Sequence, residues 1–426
     1  MNTKTNIFLK RLFKAYYNEY KTQIPIVSSF NQREFGFIPW DKDIMIRHVG
    51  FESDEFLRDY LVKESPKHVF SSGTIYQKPD FPEMQLKGYQ GCDLIFDIDV
   101  DHFYTPCKEE HDIWICKECN KIDKGMTEKC SKCGSLKIKR IAWICESCLN
   151  RAKQEIKKLI YDFLIPDFGI TIEQLKVTFS GHRGYHLKID SSKIRNLSSN
   201  ERREIADYIT GTNISLDILG LSVRSGNIFG FSRESIGWPH KILSGFENLL
   251  SKTDLDIEHF LFENEFTKNQ VKSFLDSKEL VRNNILSREG RVWSIEGFHT
   301  IDQWTKFLKG IIKNVGVQID EPVTIDIHRL IRYPGSLHGK TGFKVQEVDI
   351  NHLNNFNPLN EETDNLDPIV FKVDDNVTQK LEIVEELVPL TELKGKKYGP
   401  FEKGEIVEVP HHFAVFLLCK EVAIKI

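Results

Sequence analysis

The sequence predicts an α+β chain: small mixed sheets flanked by helices, interrupted by a cysteine-rich insertion and a helical insertion, and closed by a small C-terminal β domain. Three stretches lead to that reading. Leu94-Ile95-Phe96-Asp97-Ile98-Asp99-Val100-Asp101 alternates apolar side chains with carboxylates, the period of a strand with two unlike faces. Residues 107–148 hold seven of the nine cysteines, with three Cys-x-x-Cys pairs among them. From 191 to 312 the pattern is mostly helical, most clearly at Asn200-Glu201-Arg202-Arg203-Glu204-Ile205-Ala206-Asp207-Tyr208-Ile209, and carries no chemical motif.

At 426 residues the chain is long for one core, so two or three domains are expected. It is 40% apolar and 28% charged, with a mean hydropathy of −0.35, the balance of a soluble protein. No apolar run reaches the length of a membrane span. Residues 1–13 lack the unbroken apolar core and small-residue cleavage site of a signal peptide. An intracellular, cytoplasmic protein with no membrane partner is therefore expected. The net charge of −4 excludes a global basic field as the means of binding nucleic acid and leaves that task to local patches.

Taken in order, residues 4–22 predict an amphipathic helix with Ile7, Phe8, Leu12, Phe13 and Tyr16 at helical spacing. Two short strands follow between 32 and 51, around a Pro39-Trp40-Asp41 turn, with Arg47 near the second. In the acidic strand, alternation puts Asp97, Asp99 and Asp101 on one face with Ile95, while Phe96, Ile98 and Val100 anchor the other. Carboxylates held this close raise each other's pKa unless a cation neutralises them. Hard ions such as Mg²⁺ or Mn²⁺ take such oxygen ligands. The competing reading is a strand face whose acids meet only water.

The cysteine block follows directly. Cys116-Lys117-Glu118-Cys119, ten residues, then Cys130-Ser131-Lys132-Cys133-Gly134 form two knuckles. Four thiolates so spaced hold Zn²⁺ tetrahedrally at about 2.3 Å. Cys107, His111, Cys145 and Cys148 bracket that ribbon as a second ligand set. Neither set leaves an open position, so two structural zinc ions are expected, one site nested in the other. Disulfides are not expected in an intracellular chain.

Beyond the block, residues 151–164 predict a helix stopped by Pro166, with Ala152, Ile156, Leu159, Ile160 and Phe163 on one face. Strands at Leu175–Phe179 and Leu187–Ile189 flank the turn Ser180-Gly181-His182-Arg183-Gly184-Tyr185-His186. Glycines let backbone approach a ligand, and Arg and His supply donors to phosphate oxygens. A third stretch runs from Val317 to Gly342. Its acids, Asp320, Glu321 and Asp326, precede a predicted helical turn bearing Arg329 and Arg332, and then Pro334-Gly335-Ser336-Leu337-His338-Gly339-Lys340. Acids for metal and bases for phosphate in one segment suit a nucleoside triphosphate carrying its metal. Residues 356–384 read as an acidic linker. The tail offers strands at Glu405–Val409, Ala414–Leu418 and Ala423–Ile426, and Cys419 there reads as a small buried hydrophobe.

Together these stretches resemble the small, catalytic subunit of the archaeal and eukaryotic DNA primase, in its archaeal form. The resemblance rests on Phe96-Asp97-Ile98-Asp99, on Ser180-Gly181-x-Arg183-Gly184-x-His186, and on Arg329-Leu330-Ile331-Arg332-x-Pro334-x-Ser336-Leu337-His338-Gly339-Lys340. The motifs occur in the family's order, and the resemblance spans roughly residues 5–350. It implies a primase catalytic core of two small sheets flanked by helices, built from 1–105, 149–190 and 313–355. The zinc knuckle or ribbon would be inserted at 106–148 and the helical insertion at 191–312. After the linker at 356–384, the tail at 385–426 looks like the small β domain of the GINS replication complex, through Tyr398-Gly399-Pro400-Phe401-Glu402-Lys403-Gly404.

The resemblance also implies roles. Asp97, Asp99 and Asp320 would hold two catalytic Mg²⁺ or Mn²⁺ ions, with Asp326 the competing choice for the third acid; Asp101 becomes a bystander. Ser180, Arg183, His186, Arg332 and His338 would grip the triphosphate, and Glu34 and Arg47 join them as candidate site residues. The family's zinc ligands map onto Cys107, His111, Cys145 and Cys148, leaving Cys116, Cys119, Cys130 and Cys133 as an addition without a role. His182 stands where eukaryotic relatives tend to have a second Arg. The implied activity is de novo synthesis of short RNA primers, with DNA primers a further option, on single-stranded DNA by two-metal nucleotidyl transfer. The implied partners are a primase large subunit, the template, nucleoside triphosphates and other replisome proteins at replication forks. Lys137, Lys139 and Arg140 either track the template or form a solvated face. Two alternatives remain at this point: a repair or translesion polymerase of the same superfamily, and a non-catalytic zinc-bearing replication scaffold.

Overall fold

A computed structural model describes residues 3–232, 234–286, 292–371 and 376–426. Nine strands among them build two antiparallel sheets and are numbered in chain order: β1 (Arg33–Ile38), β2 (Ile46–Val49), β3 (His68–Tyr76), β4 (Tyr89–Cys92), β5 (Leu94–Asp99), β6 (Leu175–Phe179), β7 (Gly184–Ile189), β8 (Leu330–Arg332) and β9 (Gln346–Val348). One sheet runs β8-β3-β1-β2, with β4 also pairing to β3; the other runs β9-β6-β7-β5. The helix Thr3–Glu19 buries Leu9, Phe13, Tyr16 and Tyr17. Ile7 is half exposed, so the buried stripe is turned from the one the spacing predicts toward Leu9 and Tyr17.

The acidic strand forms as expected, but it ends at Asp99. Val100–His102 is a single tight turn whose first N–H groups include Asp101 donating to the Asp99 carboxylate at 2.9 Å. Asp101 therefore leaves the strand face. The segment expected to place Arg329 and Arg332 on one helical face is instead β8, because Leu330–Arg332 pairs with Phe70–Ser72 of β3. Pro166 does not stop its helix either. The helix begins at Glu146, passes through a π-helical stretch at Leu159–Leu164 and ends at Phe168, where Gly169 takes φ +63° and donates to Ile165. Proline lacks an N–H, and the wider turn ahead of it absorbs the break.

Contact density divides the chain into two units, Met1–Ile156 with Ile170–Arg203 and Ile319–Ile426, and Lys157–Gly169 with Glu204–Gln318. The second unit is mostly helical around an aromatic core of Phe246, Phe274, Phe298, Trp304 and Phe307. It adds one hairpin, Ser222–Arg224 with Asn227–Phe229. Its helix Ile301–Val315 starts on a capping box between Thr300 and Gln303.

In the first unit, the stretch expected to be a linker at 356–384 buries Phe356, Leu359 and Ile369 and contains the strand Thr378–Ile383. Those apolar residues, spaced among the acids, pin it down. The tail forms strands Ile406–Pro410 and Ala423–Lys425 on that strand. Ala414–Leu418, expected as a strand, lies within a helix, His411–Cys419, buried along nearly its whole length. An apolar run of this length has no face to reveal its period, so helix and strand read alike in sequence.

Candidate active site and zinc centres

Strand pairing places the acids opposite the Ser-Gly-His-Arg-Gly-Tyr-His turn: Asp97 faces His186 and Asp99 faces Gly184 across β5 and β7. A Cβ on Gly184 would lie 2.5 Å from the Ile98 carbonyl oxygen, so glycine is what allows the approach. The Asp320 N–H donates to the Asp97 carbonyl at 2.8 Å, which brings the third acid beside the strand. Asp326, the competing choice, pairs instead with Arg329 at 3.5 Å and caps the His328 N–H. Burial, then the charges of Asp99 and Asp320, push the Asp97 carboxyl well up; burial and Asp101 push Asp99 up. Arg332 acts against the rise at Asp97, and Arg183 and His102 against that at Asp99, yet both carboxyls stay raised, a condition a hard cation would relieve.

A cavity of about 210 Å³ is lined by Asp97, Asp99, His186, Arg332, His338 and Lys340, with Ser180 and His182 also on its wall. Burial holds the Arg332 pKa down to about 10, with Asp99 and Asp97 acting against it. Its guanidinium donates to His68 Nδ1 at 2.8 Å and lies over the Phe70 ring. His68 Nδ1 also accepts from the Gly339 N–H, which leaves the ring proton on Nε2. His338 Nδ1 accepts from the Lys340 N–H at 3.2 Å, so its Nε2 is likewise the donor. Burial and the Arg332 charge keep His68 and His338 neutral, and lower His186 to about 3. His186 Nε2 lies 3.5 Å from Asp97, while its buried Nδ1 has no hydrogen-bond partner among the described residues. An unpaired buried polar atom in such a wall is a place for a ligand.

Arg183 does something other than the sequence reading expects. Its guanidinium donates to both Asp112 oxygens at 2.8 Å, to the Trp143 carbonyl at 2.8 Å and to Asp101. With its donors engaged and only 2% of its surface exposed, it ties the cysteine-rich insertion to the core and leaves nothing for a phosphate. Asp101 is its partner, not a bystander. Glu34 is also held away from the cavity: it is buried between Lys87 and Arg47, each at 2.9 Å. Burial would raise its pKa, and the hydrogen bonds from Arg47 and Lys87 outweigh that and lower it. Arg47 is partly exposed and reaches the His328 carbonyl.

Both expected zinc sets form. Cys107, His111, Cys145 and Cys148, and separately Cys116, Cys119, Cys130 and Cys133, bring one ligand atom each within 4.8 Å of the others. All-sulfur and sulfur-plus-imidazole donors in closed sets of four fit zinc. His111 turns Nε2 toward Cys148 and Nδ1 to Asp112 at 2.9 Å, the carboxylate support that orients a ligating imidazole. Lys139 pairs with Glu385, Lys137 with Glu118, and Arg140 donates to the Thr127 carbonyl, so the expected basic patch is partly engaged. Sequence reasoning misses Asp112, His68 and Lys87, while Lys340 belongs to the basic segment it names. Of the three, only Asp112, next to a candidate ligand, carried a readable signal.

Comparison with known proteins agrees with this geometry. The family model for the DNA primase small subunit matches residues 96–350. The chain is 30% identical to the DNA primase small subunit PriS of Nitrosopumilus maritimus, over 99% of both chains. It is 32% identical to PriS of Methanothrix thermoacetophila and 31% to that of Methanocella arvoryzae, over 99% of this chain and 98% of each relative. The fold, the site and these matches define a primase-type nucleotidyl-transfer class of protein. The chain belongs to the DNA primase small subunit family. Among the described residues no helix is long and apolar enough to cross a membrane.

Proposed function

We propose that this chain is the catalytic subunit of a primase that makes short primers de novo on single-stranded DNA, paired with a large subunit. The observation that carries the reading is the juxtaposition of Asp97, Asp99 and Asp320 with a wall of neutral imidazoles and Arg332. Asp97, Asp99 and Asp320 would hold Mg²⁺ or Mn²⁺, which when bound supplies Lewis-acid activation of a 3′-hydroxyl and neutralises charge at the α-phosphorus. Arg332 would meet the triphosphate as a charged donor, and His338 and His186 as neutral ones, offsetting the charge of departing pyrophosphate. Ser180 lines the same wall and would add a hydroxyl. Arg183 would act indirectly, by holding the zinc-bearing insertion in register with the acids.

Primer synthesis on circular single-stranded DNA without an added primer tests the reading. Wild-type chain with its large subunit should initiate, and Asp97→Ala with an unchanged fold should not. Extension of supplied primers without initiation would instead favour a repair or translesion polymerase.

A further inference from the structure

Outside the motifs, the C-terminal helix His411–Cys419 ends against the cavity wall. Its Phe416 stacks on Phe343 at 5.7 Å and meets Trp143 edge-on at 5.5 Å. A Cβ on Gly342 would come within 2.9 Å of Val415, so the helix is fitted closely to the loop that follows His338. The next residue, Lys420, donates to the Ala142 carbonyl at 2.7 Å and lies 2.7 Å from His182 Nε2. His182 in turn stacks on His338, with centroids 5.3 Å apart and planes 12° from parallel.

Lys420 has no carboxylate within ion-pair distance among the described residues, and neither have Arg332 and Lys340. Burial, then repulsion from Arg183 and Lys340, pushes Lys420 down to about 7. Cations gathered beside one wall without direct ion-pair partners are stabilised by a polyanion.

We infer that Lys420, supplied by the C-terminal segment, is a positioning residue for the triphosphate: its ammonium donates to His182 Nε2, holds that ring as a neutral Nδ1–H donor, and adds a positive charge behind it. This rests on the primase reading of the same cavity. The ring has one proton when neutral, so occupying Nε2 as an acceptor places that proton on Nδ1. The C-terminal segment then serves nucleotide binding rather than standing apart as a docking module. It would also let His182 face phosphate in a position where a charged side chain would stand among four other bases: the ring stays neutral and the charge sits behind it.

Kinetics and binding of the full chain with its large subunit test this. For Lys420→Met, KM for nucleoside triphosphate and the Kd of a Mn²⁺-loaded, non-hydrolysable triphosphate analogue should each rise about tenfold, as expected for loss of one buried charge-assisted contact. The value of kcat should change far less, Tm should hold, and binding of the matching nucleoside should be unaffected. Lys420→Arg should restore most of the affinity. In a His182→Ala background, Lys420→Met should add little, since the two act as one unit. Unchanged KM and Kd in Lys420→Met overturns the inference, and so does a loss that tracks a fall in Tm and is not recovered by Lys420→Arg. A wild-type chain that neither binds the analogue nor makes primers would overturn the primase reading itself, which separates the two failures.

Discussion

Arg183 and Arg332 come from motifs of the same kind, yet they do opposite work. Arg183 is spent: Asp112, Asp101 and the Trp143 carbonyl take its donors, and Asp112 also braces His111 of the outer zinc set. Arg332 is available: it faces the acids across the cavity, and among the described residues it makes no ion pair, donating to His68 over the Phe70 ring. The difference teaches that a basic residue in a glycine- and base-rich motif marks a site only when its own donors remain free. The two groups of candidate metal ligands divide in the same way. The zinc sets are closed groups of four sulfur and imidazole ligands, whereas Asp97 and Asp99 line an open cavity and, on the proposed reading, would take a hard cation there.

The largest effect is expected at the acids. Asp97→Asn or Asp99→Asn should lower primer synthesis by about a thousandfold or more, since the transition state loses its cation support; near-normal turnover in a folded variant would dissolve the contrast between cage and open site. Next come the two arginines, which should fail differently. Arg332→Gln should reduce kcat/KM by about a hundredfold with Tm unchanged, an effect on a group that meets developing charge. Arg183→Gln should destabilise the fold by about 3–5 kcal/mol, because it removes the bidentate guanidinium partner of the buried Asp112 carboxylate. Equal thermal stability of the two variants in a melting series would show that Arg183 is not the clamp described. A smaller effect concerns the inner cage: replacing Cys116 and Cys130 with Ser should lower bound zinc from about two ions per chain to about one, measured by elemental analysis.

The smallest effect is a matter of pH. The carboxyls of Asp97 and Asp99 are raised, so without cation they favour the fold while protonated, and that contribution is lost as pH rises through their raised pKa values. Melting of the Mg²⁺-free protein should therefore decline from mildly acid to neutral pH more than that of Asp97→Asn. Saturating Mn²⁺ should restore about 1–3 kcal/mol to the wild type and little to the variant. An identical pH slope in both proteins would show that the acids are already neutralised within the chain.

Much of this was legible in the residues alone. The alternation of Leu94–Asp99 specified a strand with its acids on one side, and the Cys-x-x-Cys spacings specified both cages, because each signal is local and its period or ligand geometry is short-ranged. The strand Leu175–Phe179 is equally readable; its partner, expected from Leu187, begins at Gly184, because residues assigned to the turn pair with β5. What depends on residues far apart in the chain was not. Helix or strand for Ala414–Leu418 was settled by burial on all sides, which no one-dimensional pattern encodes. The partner of Arg183, 71 positions away at Asp112, and the arrival of Lys420 beside His182, 238 positions away, exist only once the chain is folded. Sequence determined which chemistry this protein owns; tertiary structure decided which of those groups are free to use it, because a charged side chain is committed by whichever partner the fold delivers first within hydrogen-bond reach.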